Sequence, residues 1–134
     1  MVTKALLLSL LMWIGSHTSY NVSGVGVPHV ELRTSKEIQD IYYGDCKRDE
    51  RAVILAVHSD GVVYLNKDVD VRKKNDRALV VHELTHYLQF VYREQIPTAH
   101  QEREVEAIAI ENIWRKSNGL RKVDRPVLVE PSCD

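Results

Sequence analysis

The chain has no surplus of charge of either sign, only two cysteines, and no apolar run long enough to cross a bilayer. Each shortage removes a class of protein. Lys and Arg total 18 against 19 for Asp and Glu, so no net field draws the chain to nucleic acid or to an acidic membrane surface, and no nucleic-acid partner is expected. Blocks of like charge are missing too, since Arg72-Lys73-Lys74 is followed at once by Asn75 and Asp76 and reads as a solvated loop. Cys46 and Cys133 lie too far apart for a CxxC redox pair or a zinc ribbon. The longest apolar stretch, Ala5 to Ile14, falls well short of the roughly 20 residues that a spanning helix needs. Repeats, low-complexity tracts and internal linkers are absent, and 134 residues are enough for one domain with its own core.

That short apolar stretch follows Lys4 and is followed by small polar residues, the layout of a cleaved signal peptide over residues 1–24, with cleavage expected between Ser16 and Gly24. The alternatives are a buried N-terminal helix or a retained anchor. Export predicts a periplasmic or extracellular protein with no stable membrane insertion after cleavage. An oxidising compartment would favour a single Cys46–Cys133 bridge tying the tail to the body. Residues 25–134 are then one domain.

Within that domain, Thr34 three residues before Glu37 has capping-box spacing, and Ile38, Ile41 and Tyr42 keep helical period until Gly44. Ala52 to His58 and Val62 to Leu65 are β-rich runs around the turn signal Ser59-Asp60-Gly61, predicting a hairpin. Asn75 or Asp76 is expected to cap a long helix ending before Pro97, and Thr98 with Gln101 to open another that stops at Gly119. The fold class is therefore α+β, a small antiparallel-containing sheet with two consecutive long helices.

The first of those helices carries His82-Glu83-Leu84-Thr85-His86. Residues four apart share a helical face, so both imidazoles can reach one ion, while Glu83, about 100° round the wheel, sits beside the ion's open position. Two ligands and an adjacent base form the H-E-x-x-H pattern, which points to Zn2+ and a metal-activated water. The flanking residues are apolar, so unligated histidines there would be costly.

A third protein ligand is needed. The extension H-x-x-G-x-x-H is excluded, because Gln89 and Tyr92 occupy its glycine and histidine positions. The next helix offers Glu102, Glu104, Glu106 and Glu111. By helical phase Glu106 falls among Ala109, Ile110 and Ile113, where a carboxylate is costly unless bound, and it is the expected ligand. Glu102 is the runner-up, as ligand or as a group orienting a histidine. Glu104 and Glu111 fall together near Arg115 and read as a solvated, salt-bridged face.

The HELTH pentad followed by Glu106 resembles the glutamate-zincin (gluzincin) branch of zinc metallopeptidases over roughly Ala52 to Trp114. It is also similar to small exported bacterial HExxH proteins of unassigned function, through Glu104-Val105-Glu106-Ala107. The thermolysin-type N-E-x-x-S-D is absent, and the aminopeptidase spacer lands on Val105, so the clan fits better than any one family. The resemblance implies a minimal zincin-like domain cleaving a peptide or protein substrate, with Glu83 as general base and His82, His86 and Glu106 on zinc. Tyr87, Tyr64, Tyr92 and His100 are candidates to stabilise the oxyanion; His58 and His100 more readily read as a strand-edge and a surface residue. Val62 to Leu65 is the expected edge for an extended substrate. The alternatives are a non-catalytic zinc-binding domain and a cytosolic HExxH regulatory protease, the latter requiring the N-terminal apolar run to be a core helix.

Overall fold

A computed structural model describes residues 2–46 and 54–124. Among them are four helices and a three-stranded mixed sheet, in the order α1 (Lys4–His17), β1 (His29–Arg33), α2 (Ser35–Tyr43), β2 (Ala56–Ser59), β3 (Val62–Asn66), α3 (Lys74–Val91) and α4 (His100–Ser117). The architecture is α+β. Cys133 lies outside the described residues, and with it the expected bridge to Cys46; so do Ala52 and Val53 of the first β-rich run.

The sheet order is β1-β3-β2, with β1 parallel and β2 antiparallel to β3. The hairpin forms as expected. Ser59 pairs with Val62, leaving Asp60 and Gly61 as a two-residue turn with φ of 48° and 85°, the left-handed pair that matches the twist of hairpin strands. One expectation is corrected: Val62 to Leu65 is the central strand, because β1, which carries little apolar alternation, covers its other side. The edge strand next to the long helices is β2, which packs on α3.

Alternation along β3 divides the interior. Val63 and Leu65 join the main cluster with α1, α3 and α4, whereas Tyr64 packs into a smaller one with Ile38, Tyr43, Ile54 and Val57. Helix α2 starts with the expected capping box, Thr34 and Glu37 satisfying each other's backbone N–H groups. Helix α3 is central: every residue from Ala78 to Thr85 is buried, as expected of a helix that is contacted on all sides.

Neither long helix begins at its expected cap. Helix α3 has Lys73 at its N-cap, and Asp76, inside the first turn, accepts from the Asp70 N–H at 2.8 Å. Helix α4 starts after Ala99 with no side-chain cap bond. Its end is as expected, with Gly119 at φ 74° and the Leu120 N–H on the Arg115 carbonyl at 2.8 Å, the glycine-terminated pattern that closes helix carbonyls.

Helix α1 is the apolar segment expected to be a leader. It buries Leu7, Leu10, Leu11 and Ile14 in the main cluster and packs on α3. No helix among the described residues is long and apolar enough to cross a membrane.

Candidate metal centre

Helices α3 and α4 pack side by side, and their shared face is where the ionisable groups meet. The buried positions of α4 are Glu104, Ala107, Ile110, Glu111, Asn112, Trp114 and Arg115. That stripe differs from the face expected from apolar residues alone, since Ile113 is 42% exposed while Glu111 is fully buried. The helix turns its acids toward α3 because the two histidines are there.

Glu104 Oε1 lies 2.5 Å from His86 Nε2 and 3.7 Å from His82 Nε2. One ligand atom from each of the three residues falls within 4.8 Å of the others, and this group could hold a metal ion. Around an ion with bonds of about 2.1 Å, tetrahedral ligand atoms stand roughly 3.4 Å apart. The His82–Glu104 spacing already matches, and the closer His86–Glu104 contact has only to widen by about an ångström.

Glu106, the carboxylate expected from helical phase, is not the one grouped with the two histidines in the structure. Glu106 Oε1 accepts from the Tyr20 hydroxyl at 2.6 Å and from Gln89 Nε2 at 2.9 Å, away from both imidazole Nε2 atoms. Glu102 is exposed in the first turn of α4. Glu111, expected on a solvated face, places Oε1 3.1 Å from His82 Nδ1. Arg115 donates instead to the Arg121 carbonyl and to Asn75 Oδ1, at 2.6 and 2.7 Å, which ties the end of α4 to the start of α3.

These outer contacts decide how each histidine presents itself. A carboxylate at His82 Nδ1 keeps a proton there, so the proton that a metal ion would displace is the one on Nε2, which faces Glu104. On the other ring, Gln89 Nε2 donates to the Arg103 carbonyl at 3.0 Å as well as to Glu106. Its amide oxygen must then face His86 Nδ1, 2.7 Å away, and accept a proton from it. Both histidines are thus held with Nε2 turned inward, which is what a ligand set needs.

Electrostatics follow from the same packing. Burial opposes a charge on His82, but its bonds to Glu104 and Glu111, with Glu83 nearby, outweigh that and push its pKa up to about 10. Burial alone would raise Glu104; the two histidines reverse this and hold it well below the usual carboxylate range. Glu83 belongs to none of these ion pairs. It is 6% exposed, and burial raises its pKa against the pull of both histidines.

His82, Glu83, His86 and Glu104 open onto one cavity of about 540 Å³, walled by β2, Phe90, Pro97 and Arg103. His58 and His100 line it too. The sequence alone favoured a bystander role for His58, yet it sits on the wall facing α3, its ring 5.4 Å from that of Phe90. Its Nε2 accepts from the Gly61 N–H at 3.0 Å, and burial, with His86 nearby, lowers its pKa to about 4. The ring is therefore neutral at neutral pH with its proton on Nδ1. Among the tyrosines considered, Tyr87 and Tyr92 donate to the carbonyls of Gly26 and Asn21. Tyr64 belongs to the cluster under α2.

No protein-family model matches the chain, and no curated protein or solved structure matches it.

Proposed function

We propose that the protein is a zinc-dependent peptidase of the glutamate-zincin type, built on a minimal zincin-like domain, with His82, His86 and Glu104 as the metal ligands and Glu83 as the general base. The observation that carries this reading is Glu83. Its carboxyl lines the same cavity as the three ligands without belonging to the ligand group, and a purely structural zinc site needs neither that carboxyl nor an open cavity. Two imidazoles and one carboxylate are a donor set that suits zinc with one position left for water. Bound there, the ion would supply an electrophile and a water of lowered pKa.

The chain's own groups account for the remaining steps. Glu83, whose burial strengthens its hold on a proton, takes one from the attacking water and passes it to the departing amine nitrogen. His58 and His100 line this cavity, and His58, whose Nε2 accepts from the Gly61 N–H, keeps its proton on Nδ1 as a donor for the substrate carbonyl oxygen. Among the described residues no strand pairs with the outer side of β2, so an extended peptide can add there as a further strand along the cavity wall.

The test is Glu83→Gln, assayed for zinc content and for cleavage of fluorescein-labelled casein. The expected outcome is full zinc occupancy with turnover reduced by on the order of 10²–10⁴. A variant as active as wild type would refute the peptidase reading and leave a non-catalytic zinc domain.

The N-terminal segment admits two accounts. Export with cleavage between Ser16 and Gly24 remains the proposal from its layout. The burial of Leu7, Leu10, Leu11 and Ile14 favours the second, a regulatory HExxH protease that keeps α1 in its core. Sequencing the N-terminus of the mature protein separates them.

A further inference from the structure

Three hydrogen bonds run outward from one histidine to the segment after α1. His86 Nδ1 meets Gln89 Oε1 at 2.7 Å, Gln89 Nε2 meets Glu106 Oε1 at 2.9 Å, and the Tyr20 hydroxyl donates to that same oxygen at 2.6 Å. Gln89 is 5% and Tyr20 7% exposed, so water does not substitute easily at either. We propose that Tyr20 is a positioning residue of the metal centre, acting through Glu106 and Gln89 on the ring of His86. The inference rests on the metal-binding reading above and extends it.

The chemistry of the chain has a single sense. An amide side chain can turn over and exchange its donor and acceptor ends. Turned over, Gln89 would set its NH₂ against His86 Nδ1 and push the proton to Nε2, the atom needed for the metal. What prevents this is the pair of acceptors at the other end, the Arg103 carbonyl and Glu106. Glu106 is held in place by Tyr20, whose pKa is raised by burial and by that carboxylate, so its hydroxyl stays a donor. The carboxylate that stands out by sequence on α4 thus serves the centre at two removes. His82 is held differently, by Glu111, which makes Tyr20 specific to one of the two rings.

Tyr20 is itself fixed by the loop that follows it. Tyr92 donates to the Asn21 carbonyl, the Tyr20 and Tyr92 rings lie 5.9 Å apart, and Tyr87 donates to the Gly26 carbonyl at 2.6 Å. Residues 20–26 are clasped to α3 along the stretch that carries His86.

The experiment uses the full chain and measures zinc affinity by competition with a chromogenic chelator, together with the visible spectrum of the cobalt(II) form. Gln89→Leu and Glu106→Ala are expected to weaken zinc binding by at least about tenfold and to alter the cobalt spectrum. Tyr20→Phe should do so to a smaller extent. Glu106→Gln should stay near wild type, because its amide oxygen accepts the same two bonds. Metal-free melting curves serve as the control for packing. Lowered stability in Tyr20→Phe with unchanged zinc affinity and cobalt spectrum would show a structural tyrosine only and overturn the proposal. A wild-type chain that binds no zinc would overturn the metal reading and this inference together. Wild-type binding with all four variants unchanged would overturn the inference alone.

Discussion

Replacing Glu104 with Gln separates the centre seen in the structure from the one expected by helical phase. The substitution keeps the shape of the side chain and removes the charge that faces both imidazoles at 2.5 and 3.7 Å. Its side chain is 8% exposed, so solvent screens these contacts little. Removing one partner of a buried ion pair costs about 3–5 kcal/mol. Glu111 still faces His82, so the lower end applies. At about 3 kcal/mol, a chain of this length loses roughly 10 °C in melting temperature when free of metal. Zinc affinity should fall by more than the roughly 100-fold limit for groups that only orient a ligand, or beyond about 2.8 kcal/mol. Calorimetry in EDTA and chelator competition in zinc read the two effects separately. Wild-type zinc affinity in Glu104→Gln, alongside loss of zinc in Glu106→Gln, would refute the assignment and return the third ligand to Glu106.

Two further outcomes follow from the same contacts. Glu111→Ala removes the carboxylate that fixes the proton on His82 Nδ1, and zinc affinity measured by the same competition should drop by about 10–100-fold. The metal-free protein should also lose stability at both ends of the pH range. The folded-state pKa of His82 is raised from 6.5 to about 10, so its contribution is complete below pH 6.5 and is lost as pH rises through about 10. Glu104 is lowered, so its contribution is present above the ordinary value of 4.5 and is lost as pH falls below it. Melting curves across this range in EDTA should show both declines, and saturating zinc should suppress the alkaline one, because the ion then replaces the proton on His82.

The local signals were legible where a few neighbouring residues decide the outcome. Thr34 and Glu37 cap α2, Asp60-Gly61 turns the hairpin, Gly119 ends α4, and the HELTH helix lies where its period put it. Strand β1 was not legible, because His29–Arg33 alternates weakly and is defined by its pairing with β3. The approach of Glu104 to the two histidines was not legible for a related reason. Helical phase on α4 was judged by apolar residues alone, on the premise that carboxylates avoid the interior. The interior opposite α4 already holds His82 and His86, so the face that buries Glu104 and Glu111 is the compatible one. The seven-residue spacing of those two acids was visible in the chain and was the available signal. The chain Tyr20–Glu106–Gln89–His86 joins residues from three separate segments, and no local pattern announces it.

The charged layer between α3 and α4 also determines where the two helices can stop sliding. Apolar side chains tolerate many offsets between packed helices; a ring of acids and imidazoles tolerates one. A slip of α4 by one turn, about 5.4 Å, would bring Ala107 or Ile108 opposite the histidines and carry Glu104 away from them. The contacts of Glu104 and Glu111 with His82 and His86 therefore favour a single alignment of the two 18-residue helices.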